Sequence, residues 1–221
     1  MLLTGFPAGL LACNCYVLAP HQGADAIIVD PGQRAVAPLR RILDENRLTP
    51  AAVLLTHGHI DHMWSAQKVA DTYGCPVFIH PEDRHLLNDP IRGIGPRIGQ
   101  IALGALFREP RQVVELDRDG DKLDLGGISV AVDHTPGHTR GSVVFRVADS
   151  AGDLVFTGDT LFKQSVGRTD LPGGSGRDLL GSIVEKLLVL DDRTVILPGH
   201  GESSTIGFER RANPFLEGLR P

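Results

Sequence analysis

The chain alternates short apolar runs with amphipathic segments, and turns rich in glycine and proline separate them. The apolar runs predict strands at 11–19, 25–29, 52–56, 76–79, 112–116, 122–125, 128–134, 142–147, 154–157 and 194–197. Apolar residues spaced three and four positions apart predict helices at 34–46, 63–73 and 177–190, the second of them entered at Asp61. Strands that alternate with helices in this way are typical of an α/β protein. No linker or low-complexity tract interrupts the pattern, so we predict a single domain over 1–221.

Residues 81–110 do not follow this pattern, because proline and glycine residues break the segment into short helical pieces. Irregular segments of this length often carry function. We therefore interpret 81–110 as a cap over a site or as an interaction surface.

Composition and charge narrow the class of protein. Of the 221 residues, 42% are hydrophobic and 22% are charged, which is ordinary for a globular protein. A net charge of −5 argues against a nucleic-acid partner, since nucleic-acid-binding proteins usually present a basic surface. No stretch of the sequence reaches the roughly 20 apolar residues of a spanning helix. We therefore expect neither a nucleic-acid nor a membrane partner.

The first residues contain one feature that imitates a targeting signal. Leu10-Leu11-Ala12-Cys13 resembles a bacterial lipoprotein cleavage site. However, no lysine or arginine precedes Arg34, and Gly5, Pro7 and Gly9 interrupt the apolar stretch that such a signal needs. We predict β-structure here, with 14–18 as a strand, and no signal.

The three cysteines, Cys13, Cys15 and Cys75, cannot form an even set of disulfide bonds. Cys13 and Cys15 are separated by one residue in a predicted strand, so they point to the same face and lie too close for an unstrained bridge. We interpret all three as small buried hydrophobic residues in a reducing cytoplasm. A thiol ligand or nucleophile is the less favoured alternative.

Metal-binding side chains are concentrated in one short segment. Residues 57–62 read His-Gly-His-Ile-Asp-His directly after an apolar run, and His138, Asp159 and His200 follow at long intervals. A predicted strand and a turn lead to such a residue four times, which lets these side chains converge at one edge of a sheet. Imidazole and carboxylate suit hard and borderline divalent ions. The pattern predicts a metal site with enough ligands for two ions.

With these residues in this order, the chain resembles the metallo-β-lactamase-fold superfamily over nearly its whole length. Further segments resemble glyoxalase II-type hydrolases, namely Asn14-Cys15-Tyr16, Asp30-Pro31-Gly32, 156–162 and 197–201. Three more segments resemble the short bacterial branch of that group, namely 166–170, 204–210 and 213–216.

The resemblance implies a four-layer αββα sandwich with a dinuclear metal site. One ion would be held by His57, His59 and His138. The other would be held by Asp61, His62 and His200, and Asp159 would bridge the two. Zinc is the expected ion, with iron and manganese as alternatives.

The activity implied by the resemblance is hydrolysis of small thioesters, in which an S-2-hydroxyacyl thiol gives a hydroxy acid and a thiol. Two ions about 3.5–4 Å apart would share a hydroxide as nucleophile and polarise the carbonyl. Asp61 is the candidate catalytic residue, because its carboxylate could both ligate metal and orient the hydroxide. A thioester suits such a site, since its thiolate leaves with little help from a general acid.

Substrate binding is where the chain departs from the longer glyoxalase II enzymes. Those enzymes carry a C-terminal helical domain that helps bind glutathione, whereas only 21 residues follow His200 here (221 − 200). Arg168 stands where they use a basic residue, so we predict that it contacts a substrate carboxylate. A structural ion pair with Asp170, which replaces a tyrosine of those enzymes, is the alternative. Trp64 either lines the entrance or packs.

Other activities are compatible with the resemblance. A persulfide dioxygenase with one iron ion would share the motif and 167–170, and a lactone or β-lactam hydrolase would share the fold. The presence of both Asp61 and His62, with Asp159 where some lactamases place a cysteine, favours the thioesterase. A non-catalytic, metal-stabilised scaffold is the last alternative. We expect a small-molecule substrate in the cytoplasm, and the oligomeric state is left open.

Overall fold

The computed structural model describes residues 1–95, 107–150 and 152–219, which contain two six-stranded sheets. The first sheet comprises, in spatial order, β1 (Leu2–Ala8), β2 (Cys13–Ala19), β3 (Asp25–Val29), β4 (Thr49–Leu54), β5 (Val77–Ile79) and β6 (Val113–Glu115). Neighbouring strands are antiparallel from β1 to β3 and parallel from β3 to β6.

The second sheet is built from the second half of the chain. Its strands are β7 (Lys122–Leu125), β8 (Ile128–His134), β9 (Val143–Val147), β10 (Leu154–Gly158), β13 (Val195–Pro198) and β14 (Ser204–Thr205). A separate hairpin of β11 (Leu161–Phe162) and β12 (Ser165–Val166) follows β10. The spatial order is β14-β13-β10-β9-β8-β7, in which β10 and β13 are parallel and the other neighbours antiparallel.

Helices connect the strands and cover the outer faces. They are α1 (Val36–Asn46), α2 (Ile60–Met63), α3 (Ala66–Tyr73), α4 (Pro81–Arg84), α5 (Gly176–Ser182) and α6 (Ile206–Ala212). A π-helical turn, Ile183–Leu187, extends α5, and short 3₁₀ turns occupy His85–Leu87, Pro90–Gly93 and Pro214–Leu216. No helix in the described ranges is long and apolar enough to cross a bilayer.

Three apolar cores lie between four layers. The core between the two sheets contains Ile27, Leu54, Phe145 and Phe156. The core between the first sheet and its helices contains Ile28, Leu39, Leu43 and Val69. The core between the second sheet and its helices contains Val155, Leu179, Ile183 and Ile206. Adjacent residues such as Ile27 and Ile28 enter different cores because successive side chains of a strand point to opposite faces. This arrangement is the αββα sandwich that the resemblance implied.

Strand β1 was not predicted, because Gly5 and Pro7 weaken the strand signal within it. The strand nevertheless forms a seven-residue antiparallel ladder with β2. β1 is the terminal strand of its sheet, and an edge position tolerates a proline that cannot donate to a neighbouring strand.

The predicted continuous helix after Asp61 is wrong in one respect, because the structure divides it into α2 and α3. Ser65 lies at the break, where its backbone N–H donates to the carbonyl of Pro31 at 2.8 Å. Its hydroxyl donates to the carbonyl of Gly32 at 2.7 Å. These two contacts anchor the break to the loop that follows β3.

Candidate metal centre

The seven predicted ligands converge at one edge of the two sheets. One set comprises His57, His59 and His138, whose donor atoms lie within 4.8 Å of one another. Within it, Nδ1 of His59 and Nε2 of His138 are 2.8 Å apart. All three side chains are buried, with exposed fractions of 4% or less.

The second set comprises Asp61, His62 and His200. Nε2 of His200 lies 3.2 Å from Nε2 of His62 and 3.2 Å from Oδ2 of Asp61. The His62 ring is fully buried, whereas the His200 side chain is 27% exposed. This set therefore lies nearer to solvent than the first.

Asp159 lies between the two sets. Its Oδ1 is 3.2 Å from Nε2 of His62, and its Oδ2 is 3.6 Å from Nε2 of His138. Oδ2 also lies 3.7 Å from Nε2 of His200, so the carboxylate faces both sets. The bridging role that the resemblance implied would require such a position, and that role stays a prediction.

Hydrogen bonds outside the centre define the protonation of three histidine rings. Nδ1 of His138 lies 2.7 Å from the carbonyl of Arg168, and Nδ1 of His62 lies 2.9 Å from a carboxylate oxygen of Asp30. Both partners are acceptors, so each Nδ1 carries a proton, and Nε2 is the nitrogen of each ring that can bind a metal ion. Both Nε2 atoms face the centre, as metal ligation requires.

His57 is oriented through a relay. The hydroxyl of Thr56 donates to Oδ2 of Asp30 at 2.6 Å, and it accepts from Nδ1 of His57 at 3.1 Å. Nε2 of His57 is therefore the nitrogen with the lone pair. His59 is the exception among the rings, since its outer Nε2 is buried without a hydrogen-bond partner in the described part of the chain.

Burial keeps the first set neutral. It lowers the pKa of His59 to about 3, and it lowers the pKa of His57 and of His138 as well. Burial is the largest single influence and would raise the pKa of Asp61, but the hydrogen bond with His200 and the charges of His62 and His200 together outweigh burial and lower that pKa. At neutral pH these histidines are uncharged and this carboxylate is ionised, which is the state in which both bind metal.

The residues fit divalent cations. Nε2 of His57 and Oδ1 of Asp159 are buried without a hydrogen-bond partner among the described residues. An unsatisfied buried polar atom costs about 1–3 kcal/mol, and a cation would satisfy both atoms. The mixture of imidazole and carboxylate donors is one that zinc, iron and manganese accept.

Asp30 is a functional residue that the sequence reasoning treated only as part of a turn. It is 1% exposed and accepts from the backbone N–H of Thr56 at 2.8 Å, as well as from the Thr56 hydroxyl and His62. One carboxylate therefore orients a ligand from each set. The sequence signal that could have identified Asp30 is its place at the end of β3, directly before Pro31 and Gly32.

Asn14 and Tyr16 support the loop that carries His200. The side-chain amide of Asn14 donates to the carbonyls of Pro198 and Gly201 at 3.0 and 2.9 Å. The hydroxyl of Tyr16 donates to the carbonyl of Pro198 at 2.8 Å. The Asn14-Cys15-Tyr16 segment thus links the first sheet to the end of β13.

Arg168 forms a two-pronged ion pair with Asp170, in which both nitrogen-to-oxygen distances are 2.7 Å. The two side chains are 61% and 67% exposed. The ion pair that the sequence left as an alternative is therefore present, and the substrate contact of Arg168 stays a prediction. Trp64 packs edge-on against Phe107, with ring centroids 5.1 Å apart.

All three cysteines are buried free thiols. Burial raises the pKa of Cys13 to about 12, so its thiol stays protonated near neutral pH.

The remaining histidines of interest lie outside the two sets. His80 and His134 stack with ring centroids 4.1 Å apart, and Nε2 of His134 lies 2.8 Å from the carbonyl of Arg140.

Comparison with known proteins places this geometry in a family. A family model described as the metallo-beta-lactamase superfamily matches residues 8–200. An uncharacterised protein of Mycobacterium tuberculosis is 76% identical, and the alignment covers 99% of both chains. The hydroxyacylglutathione hydrolase GloC of Haemophilus influenzae is 36% identical over 92% of both chains.

Solved structures give the same result. The BLEG-1 B3 metallo-beta-lactamase is 39% identical, with a TM-score of 0.84 over 98% of this chain and 100% of that one. TTHA1623, solved in a di-iron-bound form, is 34% identical, with a TM-score of 0.79 over 96% of this chain and 100% of that one.

The fold and the histidine-rich centre define a hydrolase built to bind divalent metal ions. The chain belongs to the metallo-beta-lactamase superfamily.

Proposed function

We propose that this protein hydrolyses small thioesters of the S-2-hydroxyacyl-thiol kind with two divalent metal ions, of which zinc is the first expectation. The observation that carries the proposal is the presence of two complete donor sets, with the carboxylate of Asp159 between them. The similarity to a hydroxyacylglutathione hydrolase over 92% of both chains supports the thioester substrate.

His57, His59 and His138 would hold one ion, and Asp61, His62 and His200 the other, with Asp159 facing both. When bound, two such ions supply a nucleophile from water near neutral pH and polarise the carbonyl that it attacks. The chain's own residues hold the donors in place, because Asp30 and the carbonyl of Arg168 fix the rings of His62 and His138.

Asp61 has the properties that a catalytic residue needs here. Its lowered pKa keeps the carboxylate ionised, and the side chain is 18% exposed, so it can reach a water molecule at the mouth of the site. An ionised carboxylate at this position can accept a hydrogen bond from the attacking water and thereby orient it. The thiolate leaves unprotonated, so the reaction needs no separate acid.

The test is thioester loss from S-D-lactoylglutathione, measured with metal-loaded protein and with chelator-treated protein. We expect chelator-sensitive turnover with kcat/KM of about 10⁴ M⁻¹s⁻¹ or more. If the protein hydrolyses thioesters of another small thiol but not those of glutathione, that other thiol is the natural carrier. Absent turnover on both would contradict the proposal.

Hydrolysis of β-lactams is the second candidate, and the similarity to BLEG-1 at 39% identity favours it. A chromogenic cephalosporin, assayed with the same metal-loaded protein, distinguishes the two hydrolytic reactions. Oxygen consumption with a persulfide substrate and a single bound iron would instead indicate the dioxygenase alternative. Both complete donor sets favour two ions and hence a hydrolase.

We also propose that the protein works in the cytoplasm on a small-molecule substrate without nucleic acid. The three buried free thiols and the net charge of −5 support this location and this choice of substrate.

A further inference from the structure

A buried carboxylate outside the seven ligands joins two of the loops that carry them. Asp83 belongs to the short helix α4 and is 2% exposed. Its side chain lies between the loop 57–62 and the loop that follows His138. A buried carboxylate needs several donors to offset its loss of hydration, so its partners indicate its role.

Asp83 accepts three hydrogen bonds from these two loops. Oδ2 accepts from the backbone N–H of Gly58 at 2.8 Å and from the hydroxyl of Thr139 at 2.7 Å. Oδ1 accepts from the backbone N–H of Gly141 at 3.0 Å. Gly58 lies between His57 and His59, and Thr139 directly follows His138. One side chain thus contacts a neighbour of each ligand in the first set.

The segment around Asp83 packs against the same ligands without leaving a gap. A Cβ on Gly58 would lie 2.7 Å from Cδ1 of Leu86 and 3.0 Å from the carbonyl of Asp83. A Cβ on Gly93 would lie 3.0 Å from Cδ2 of His59. Residues 81–95 of the predicted cap therefore pack directly against the loop 57–62.

We propose that Asp83 is a positioning residue for the metal set formed by His57, His59 and His138. It holds Gly58 and Thr139 at a constant separation. The rings of His57 and His59, which flank Gly58, therefore face the ring of His138, which precedes Thr139. The second set has its own supports in Asp30 and Asn14, which do not contact Asp83. The effect of Asp83 is therefore confined to one of the two ions.

This inference rests on the metal site of the proposed function and does not depend on the thioester substrate. Asp83→Asn is the sharpest variant, because the side chain keeps its size but turns an N–H₂ group towards backbone donors. Asp133→Asn is the matched control. Asp133 is also a buried aspartate, at 4% exposure, but its carboxylate accepts from Arg146 at 2.5 and 3.2 Å.

The measurement is zinc binding to each metal-free protein in competition with a chromophoric chelator, with Co²⁺ absorption spectra as a second readout. For Asp83→Asn we expect one of two equivalents to bind about 10- to 100-fold more weakly, as for other residues that orient ligands. The other equivalent should be unchanged. Asp133→Asn should bind both equivalents as the unaltered protein does.

A thermal melt of each metal-free protein checks that it folds. If Asp83→Asn does not fold, Thr139→Val removes one of the three donors, and we expect a loss on the order of fivefold in the same equivalent. Unchanged metal binding in a folded Asp83→Asn overturns the inference. If that variant does not fold, unchanged binding in Thr139→Val overturns it. Equal weakening of both metal equivalents overturns it as well. If the unaltered protein binds no metal, the proposed function fails as well.

Discussion

Nδ1 of His62 donates to the carboxylate of Asp30 at 2.9 Å, and both side chains are excluded from solvent. The same carboxylate accepts from Thr56, whose hydroxyl orients His57. Asp30 has a positive φ of 48°, which is uncommon for a residue other than glycine. The side chain of this residue contacts His62 directly and orients His57 through Thr56.

Replacement of Asp30 by Asn should weaken metal binding. The amide has one acceptor oxygen for three donors, so at least one donor loses its partner. We expect metal affinity to fall about 10- to 100-fold and the free energy of unfolding to fall by about 1–3 kcal/mol. Chelator competition and urea unfolding measure the two effects. The control Thr56→Val keeps the contact of Asp30 with His62 and should lose less affinity. A folded Asp30→Asn with unaltered affinity would contradict this role.

Loss of Asp61 or His59 should remove turnover while the fold survives. Neither side chain belongs to the three apolar cores. We expect Asp61→Asn and His59→Ala each to lower kcat by a factor of about 10² or more, in the range seen when a group that stabilises the transition state is removed. Steady-state kinetics give the loss, and circular dichroism checks the fold. Near-normal turnover by the metal-depleted double variant of Asp61→Asn and His59→Ala would contradict the proposed mechanism.

The exposed pair of Arg168 and Asp170 allows substrate binding to be separated from stability. An exposed ion pair contributes little to stability, so Arg168→Gln should leave the melting temperature unchanged. If the guanidinium binds a substrate carboxylate, Arg168→Gln raises KM about tenfold with little change in kcat. Asp170→Asn frees the guanidinium and should leave KM unchanged or lower it. Unaltered KM in Arg168→Gln would assign the arginine to the ion pair alone.

Removal of metal should destabilise the protein. The ligands are buried or only partly exposed, with their donor atoms close together, and a bound ion stabilises only the folded chain. With metal at about 1,000 times its dissociation constant, the stabilisation is about 4 kcal/mol for each ion. Calorimetry of the chelator-treated protein should show a lower melting temperature, which zinc, iron or manganese would restore. Equal melting temperatures with and without metal would contradict a site of this affinity.

The sequence alone determined the identity of all seven side chains that converge and the positions of most strands along the chain. Both are local properties. Alternating apolar residues define which face of a strand is buried, and the segment 57–62 places four donors within six residues. The αββα architecture followed from the resemblance that these residues carry.

Tertiary structure decided which residues hold those ligands. Asp30 is 32 positions from His62, and Asp83 is 56 positions from Thr139. No local pattern marks an aspartate as the partner of so distant a residue, because a hydrogen bond depends on the path of the chain between them. The break between α2 and α3 has the same origin, since Ser65 bonds to a loop more than 30 residues earlier. The role of β1 as an edge strand likewise depends on the sheet that it joins.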